Sequence, residues 1–319
     1  MSGPTESERP VQLRDNPMVA MADEAERPTR WWLAWLVALL FVLVGLVLGD
    51  WIGALVLGHP AKDQPRAQFL ELFMFGTIAL LLYLWIRVKE RRGFSTFGFR
   101  GSKPVGRLLL GLLLGAALMT VGVLVPVALG DLATGRSEHH LSGTGALLML
   151  VPLLVVFVLQ SSTEEMVFRG YMLPMGLRQL PGWVAVLGTS VIFAAIHPGA
   201  KVVGTLNILL YAVFACLVVL QQGSLWLICG FHAGWNFFQG NVYGVPVSGN
   251  PEPTSLFTFG PTSGSRDLLS GGDFGIEASL VGTVLLVLAV AVAWVALRRT
   301  RGGAAAPAEA APADAGAGT

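Results

Sequence analysis

The sequence predicts an all-α, polytopic membrane protein with about eight transmembrane helices. Of its 319 residues, 54% are hydrophobic and only 13% are charged, whereas soluble domains contain about 25% charged residues. The charges are concentrated in residues 1–30, 87–107 and 298–301, which leaves long apolar runs between them. This distribution is typical of a chain that crosses a bilayer several times and excludes an ordinary soluble domain.

Eight apolar runs are long enough to cross the hydrocarbon core, which requires about 20 residues in a helix. They lie at 31–57, 68–87, 105–129, 144–163, 183–200, 203–221, 224–240 and 277–298.

These runs divide the chain into regions. We assign N-terminal transmembrane helices to 31–143, core helices to 144–240, an extracytoplasmic loop to 241–276 and a last transmembrane helix to 277–298. The polar segment 1–30 is predicted to be a disordered cytoplasmic tail without a signal peptide. The Ala-, Gly- and Pro-rich segment 299–319 is predicted to be a second disordered cytoplasmic tail.

The distribution of basic residues predicts the orientation in the membrane. The link between the second and third runs is rich in them: Arg87, Lys89, Arg91, Arg92, Arg100, Lys103 and Arg107. The positive-inside rule places this link in the cytoplasm, and eight crossings then place both termini there. The composition of the tails favours a bacterial plasma membrane. A net charge of +1 and the lack of a basic stripe argue against a nucleic-acid partner.

Three polar motifs interrupt the apolar runs: EEMVFRG at 164–170, FAAIH at 193–197 and HAGWN at 232–236. An ionisable group at membrane depth costs several kcal/mol unless it has a partner or a water-filled cavity, so such residues indicate a functional site. The candidate site residues are Glu164, Glu165, Arg169, His197, His232 and Asn236.

The three motifs are predicted to meet at one depth. If 145–179 is one long helix that turns at Pro181–Gly182, Glu164 and His197 both lie roughly 20–25 Å from the turn along their helices. By the same rise per residue, His232 lies roughly 13 Å and Asn236 roughly 20 Å from the start of the seventh helix. The three helices therefore bring their polar side chains together.

Spacing within the motifs also predicts chemistry. Glu165 and Arg169 are four residues apart on one helix face and can form an ion pair. Glu164 points about 100° away on the helix and is free to act as a general base. His232 and Asn236 are also four residues apart and can direct donors at one oxygen. The pairs Gly45/Gly49, Gly111/Gly115 and Gly230/Gly234 are predicted to allow close helix packing.

The three motifs resemble the EExxxR, FxxxH and HxxxN motifs of the CAAX protease and bacteriocin-processing family, also called type II CAAX prenyl endopeptidases or the abortive-infection family. The resemblance covers about 145–240. It implies an intramembrane endopeptidase in which Glu164 activates water, His197 helps to hold that water, and His232 and Asn236 stabilise the oxyanion. Glu165 and Arg169 would support the site electrostatically.

The resemblance also implies a protein or peptide substrate, with or without a prenyl group. It would be presented from the cytoplasmic side or laterally from the lipid bilayer, in CAAX processing or in bacteriocin maturation or self-immunity. A zinc cofactor stays open, because Glu164, His197 and His232 are possible ligands. The chain contains no HExxH motif, and a metal-free glutamate mechanism uses the same side chains.

Each feature also has a structural interpretation. Glu165 with Arg169 can be a buried ion pair that fixes helix packing, His197 can be a helix-end residue bonded to a free carbonyl, and His232 with Asn236 can join two helices by hydrogen bonds. The main alternative function is a proton- or ion-coupled transporter, although no inverted repeat is visible. A third alternative is a non-catalytic scaffold protein.

Overall fold

In the computed structural model, which describes residues 13–135 and 141–304, the chain is almost entirely helical. The helices are α1 (Pro17–Asp23), α2 (Trp31–Leu57), α3 (Leu70–Trp85), α4 (Pro104–Ala128), α5 (Leu147–Glu165), α6 (Leu173–Leu177), α7 (Gly182–Ala195), α8 (Val202–Gln222), α9 (Trp226–Phe237), α10 (Asp267–Ser270) and α11 (Leu280–Ala304). Four short strands, β1 (Leu132–Thr134), β2 (Leu141–Ser142), β3 (Thr254–Ser255) and β4 (Phe259–Pro261), form an antiparallel pair β1–β4 and a parallel pair β2–β3.

Within the described residues, six helical stretches are long and apolar enough to cross a membrane. They are Trp31–Leu57, Pro65–Glu90, Pro104–Ala128, Gly143–Leu177, Val202–Gln222 and Leu280–Thr300. Apolar side chains such as Leu43, Val47, Leu113 and Val292 are exposed on these helices, as expected where helices face lipid. The predicted all-α polytopic membrane fold is confirmed.

The helices in the two remaining predicted spans are shorter than the sequence suggests. In the span predicted at 183–200, α7 ends at Ala195, because Pro198 disfavours helix in the residue before it and Gly199 turns the chain with a φ of +89°. In the span predicted at 224–240, the α-helix α9 ends at Phe237 and is followed by a π-helical turn, Phe238–Val242. Residues 228–237 of α9 are all buried, so this helix lies inside the bundle.

The links between helices lie at two opposite ends of the bundle. We call one the arginine-rich end; it comprises residues 13–30, 86–103, 178–181 and 223–225. We call the other the loop end; it comprises residues 58–69, 129–135, 141–146, 196–201 and 243–279. Basic side chains are concentrated at the first end, at Arg14, Arg27, Arg30, Arg87, Lys89, Arg91, Arg92, Arg100, Lys103 and Arg178.

Part of the predicted N-terminal tail is folded, contrary to expectation. The Asn16 side chain accepts a hydrogen bond from the Met18 amide and caps α1, and Met18, Val19 and Ala22 are buried. The Asn16 side-chain amide also donates to the Leu220 carbonyl at 2.7 Å. The prediction of disorder over 1–30 is therefore wrong for α1. Residues 1–12 and 305–319 of the predicted tails lie outside the described residues, and α11 continues to Ala304.

Glycines bring α4 and α9 into backbone contact. A Cβ atom added at Gly111 would lie 2.0 Å from the Leu227 carbonyl oxygen, and one added at Gly230 would lie 1.9 Å from the Leu108 carbonyl oxygen. Gly115 and Gly234 are packed in the same way. The predicted role of these glycine pairs in close helix packing is confirmed, and the contact fixes the helix that carries His232 and Asn236.

The segment 243–279 is an ordered cover at the loop end. Strands β3 and β4 pair it to the link that follows α4. Arg266 donates its backbone amide and two guanidinium nitrogens to Asp131 at 2.6–3.0 Å, and these hydrogen bonds hold the pKa of the Asp131 carboxyl below its usual range. The Gln68 amide donates to Glu252 at 2.5 Å. The predicted loop thus packs over the helices that carry the polar motifs.

Candidate active site

The first motif lies where an α-helix changes into a π-helical turn. Glu164 and Glu165 are the last residues of α5, and Arg169 lies in the turn Met166–Met172 that joins α5 to α6. A π turn widens the helix locally and is frequent at functional sites. The indole N–H of Trp35 donates to the Met172 carbonyl at 2.8 Å, which satisfies a backbone acceptor at the end of this turn.

Glu165 is at the centre of a closed polar cluster. Its Oε1 atom accepts hydrogen bonds from the Tyr211 hydroxyl at 2.9 Å, His232 Nδ1 at 2.9 Å and Arg169 Nη1 at 3.4 Å. The Arg169 guanidinium lies 4.4 Å from the centre of the Phe193 ring, in cation–π contact. Glu165 is fully buried and Arg169 is 1% exposed. The predicted Glu165–Arg169 ion pair is confirmed.

Glu164 has very different surroundings from Glu165. Its Oε1 atom accepts a hydrogen bond from the Gln160 amide at 2.7 Å, while its Oε2 atom has no hydrogen-bond partner among the described residues. The Glu164 side chain is 17% exposed and lies 3.8 Å, Oε2 to Nε2, from His232. Glu164 lines both cavities, so its carboxylate lies beside the space in which a molecule can bind.

His232 lies between the two glutamates. Because a carboxylate only accepts hydrogen bonds, the contact with Glu165 places the proton on Nδ1 of His232. Nε2 of His232 then faces Glu164. The Tyr211 ring lies 4.9 Å from the imidazole and holds it in this orientation.

Asn236 lies one turn further along α9, on the same side as His232. Its side chain is 5% exposed, and its amide nitrogen is 3.5 Å from Gln160 Oε1. Its Oδ1 atom has no hydrogen-bond partner within the described part of the chain. A nearly unpartnered buried amide is costly unless a ligand completes its hydrogen bonds, so Asn236 is suited to bind a polar group of a substrate.

His197 lies just beyond the end of α7. Its Nδ1 atom is 2.7 Å from the Phe193 carbonyl oxygen, so Nδ1 carries the proton and Nε2 is an acceptor in the neutral ring. His197 lines the same cavities as Glu164. Among the described residues it makes no hydrogen bond with Glu164, His232 or Asn236, so it is a neighbour of the cluster and not a member.

Two cavities meet at Glu164 and His197. The larger cavity, of about 650 Å³, has apolar walls from Val42, Leu46, Phe75 and Ile78. The smaller cavity, of about 290 Å³, contains His232 and Asn236. Their volumes lie close to or within the range of ligand pockets, about 300–1,000 Å³.

The candidate zinc ligands do not form a preassembled metal site. Among the described residues, no three His, Cys, Asp or Glu side chains are grouped closely enough to hold a metal ion. Within the set Glu164, His197 and His232, the close approach is the one between Glu164 and His232. The arrangement places a carboxylate beside hydrogen-bonding groups, as in sites of general acid–base catalysis.

Comparison with known protein families supports the interpretation of this site. Residues 146–238 match the family model described as Rce1-like: type II CAAX prenyl endopeptidase Rce1-like. The predicted family is confirmed for this segment. The match extends from α5 to α9 and contains all six candidate site residues. Neither a curated protein nor a solved structure matches the chain. The match supports a protease of the CAAX type within a multi-pass membrane protein.

The Rce1-like segment also contains two site residues that the motifs did not identify. Gln160 contacts both Glu164 and Asn236, and Tyr211 binds Glu165. Each has a weak sequence signal: Gln160 is a polar residue one helical turn before Glu164, and Tyr211 follows Asn207 by one turn in the otherwise apolar α8. Polar residues at this spacing in a membrane helix point toward other polar groups.

Proposed function

We propose that this protein is an intramembrane endopeptidase of the CAAX type in which Glu164 is the general base. The observation that carries the proposal is the contrast between two adjacent carboxylates. Glu165 is fully buried, and one of its oxygens accepts three hydrogen bonds, whereas Glu164 lines both cavities and its side chain is 17% exposed. A base that activates water must lie next to the space that holds the water and the substrate.

The proposed reaction uses no metal ion, and Glu164 returns the proton that it takes. Glu164 takes a proton from a water molecule, and the hydroxide attacks the substrate carbonyl carbon to give a tetrahedral oxyanion. The protonated Glu164 then gives the proton to the leaving amine as the C–N bond breaks. One proton moves through Glu164, so its carboxylate is restored at the end of the cycle.

Asn236 and His232 are assigned to the oxyanion. The Asn236 amide can donate at once, because its only hydrogen bond to a described residue is the long one to Gln160. His232 Nε2 can donate only when the ring carries a second proton, because Nδ1 is already used for Glu165. His197 Nε2 is an acceptor beside Glu164 and is assigned to hold the attacking water. Glu165 and Arg169 keep His232 in position.

The proposed substrate is a protein or peptide with an apolar segment. The apolar walls of the larger cavity suit such a segment. These walls suit a prenyl chain and an apolar polypeptide equally, so prenyl-protein processing and bacteriocin-related processing stay as alternatives. We further infer a plasma-membrane location with both termini in the cytoplasm, which the concentration of basic residues at the arginine-rich end supports.

The test is a cleavage assay on the purified full-length protein. The probes are internally quenched peptides with an apolar C-terminal segment, in matched sets with and without a prenylated cysteine. We expect Glu164→Gln to lower the cleavage rate by about 10²–10⁴-fold, the contribution of a general base. The matched control is Asp273→Asn, since Asp273 is an exposed carboxylate on the wall of the larger cavity.

Full cleavage by Glu164→Gln would contradict the assigned base. Equal loss in both variants would show that removal of any cavity carboxylate is harmful and would contradict it as well. Elemental analysis of the same sample, with the rate before and after chelation, tests for zinc independently.

A further inference from the structure

Both cavities are bounded by the helices and, on one side, by residues of the loop end. Ser248 and Asn250, in the segment 243–279, line both cavities beside Glu164. The same segment adds Glu252 and Glu277 to the smaller cavity and Asp267 and Leu268 to the larger one. The α7–α8 link contributes residues 196–199 and Lys201, also at the loop end. The space next to Glu164 therefore extends toward this end.

The opposite path, from Glu164 to the arginine-rich end, is filled by packed side chains. Every residue from Glu165 to Leu177 is buried. Gly170 touches the backbone of the arginine-rich end directly, because a Cβ atom added there would lie 2.5 Å from the Phe97 carbonyl oxygen. Helix α1 packs against α6 and covers this region, with Met18 fully buried.

The charges distinguish the two ends in the membrane. Basic side chains are concentrated at the arginine-rich end, whereas the cavity walls at the loop end carry one basic side chain, Lys201, and four acidic ones, Glu252, Asp267, Asp273 and Glu277. Arginine and lysine near span ends favour the cytoplasmic side, while acidic residues contribute little to orientation. The loop end is thus extracytoplasmic.

We propose that the substrate reaches Glu164 from the extracytoplasmic face, through the opening formed by the segment 243–279 and the α7–α8 link. This inference rests on the proposed function and differs from the sequence-based expectation of a substrate presented from the cytoplasmic side or laterally from the lipid bilayer. The substrate class is a membrane-associated or exported polypeptide whose scissile bond lies on the extracytoplasmic side or in that half of the bilayer. Asn250, which is exposed at the mouth of both cavities, marks the entrance.

Thiol labelling tests this access. The native cysteines Cys216 and Cys229 are buried, so they give a low background. Asn250→Cys marks the cavity mouth, Leu268→Cys is a second position on its rim, and Ser102→Cys is the matched control at the exposed arginine-rich end. Right-side-out membrane vesicles are treated with a bulky, membrane-impermeant maleimide. We expect both cavity variants to be labelled at least tenfold faster than Ser102→Cys, and the difference to disappear after permeabilisation.

Cleavage measured in detergent links access to activity. The substrate is a quenched peptide that the unlabelled protein cleaves. For each variant, the cleavage rate of the labelled protein is divided by the cleavage rate of the same variant without label. We expect the bulky label at Asn250→Cys or Leu268→Cys to reduce the rate at least tenfold and the label at Ser102→Cys to leave it unchanged. Faster labelling of Ser102→Cys in right-side-out vesicles, or inhibition confined to that label, would overturn the proposal.

The labelling experiment tests the direction of substrate access separately from the role of Glu164 as the base. Labelling of the intact protein needs no cleavage and is repeated in the Glu164→Gln background. If Glu164→Gln cleaves normally while the labelling pattern is as expected, the assigned base is wrong and the direction of access stands.

Discussion

Glu164 and Glu165 are neighbours in sequence but lie in opposite environments. The Glu165 side of α5 is a closed cluster in which Arg169, Tyr211 and His232 converge on one carboxylate oxygen. The Glu164 side is open, because Glu164 lines both cavities and its side chain is 17% exposed. The difference teaches that two neighbouring carboxylates can have separate purposes: Glu165 holds the helices and the histidine together, and Glu164 borders the space in which we propose that a substrate binds.

The largest expected effect is on the closed side. Arg169→Met leaves Glu165 as a buried charge without its cation, which we expect to lower the free energy of unfolding by about 3–5 kcal/mol. The measurement is chemical or thermal unfolding in detergent. The control is Arg91→Met, which removes an exposed ion pair with Glu26 and is expected to cost about 1 kcal/mol or less.

A double variant sharpens this prediction. Glu165→Gln combined with Arg169→Met removes both charges, so we expect it to recover a large part of the lost stability. Cleavage should stay low, because His232 no longer has the carboxylate that orients it. Recovery of full activity in the double variant would show that the ion pair has no role in positioning His232.

The second prediction concerns the open side. We expect Asn236→Ala to reduce kcat by about 10²–10³-fold, the effect of removing one oxyanion donor. Asn236→Asp keeps the shape but loses the N–H donor, so its kcat should fall comparably. A normal kcat in Asn236→Asp, with correct folding verified by unfolding measurements, would remove Asn236 from the oxyanion site.

The third prediction concerns the contact between α4 and α9, the helix that carries His232. An alanine at Gly234 would place its Cβ atom 2.2 Å from the Leu112 carbonyl oxygen, so α4 and α9 must move apart. We expect a loss of about 1–3 kcal/mol in the free energy of unfolding, as for other overpacked sites. Gly76→Ala is the control, because Gly76 has open space around it and alanine favours helix there. Equal stability of the two variants would contradict the tight contact.

The smallest effect is expected at the loop end, and it depends on pH. The pKa of Asp131 is held below its usual range by Arg266, so its stabilising effect is present above the ordinary aspartate pKa and is lost as the pH falls through the lowered value. Asp131→Asn should lower the Tm at neutral pH and have little effect in acid. Asp63→Asn, at the same end, is the control. A difference in Tm that grows toward acid pH would have the wrong sign.

The fold could be predicted to a large extent. The length of an apolar run and the positions of the charged residues reflect the bilayer and the water on either side of it more than the detailed packing of side chains. The turn at Pro181–Gly182 and the long helix before it follow from the sequence. The length of α7 and α9 could not be predicted in the same way. Both are apolar like the lipid-facing helices, but the burial of α9 and the turn at Pro198–Gly199 depend on neighbours that are distant in the chain.

The site could be predicted as a set of residues but not as a geometry. Helical spacing identifies the Glu165–Arg169 pair and separates it from Glu164. It does not identify Tyr211, which reaches Glu165 from another helix, or Gln160, which occupies one Glu164 oxygen. It also places His197 in the cluster, whereas the structure places it at the cavity wall with its Nδ1 atom on the Phe193 carbonyl. Contacts between helices depend on rotation about the helix axes, which spacing alone does not fix.

The docking of α1 has a consequence for the order of folding. Asn16 donates to the Leu220 carbonyl, a contact between residues that are 204 positions apart. During synthesis α1 leaves the ribosome before α8, so its acceptor is present only after the chain has been made at least as far as Leu220. Closing so long a loop is slow compared with helix formation. The cover that α1 forms over the arginine-rich end can therefore be completed only after the helices that carry the first two motifs have been synthesised.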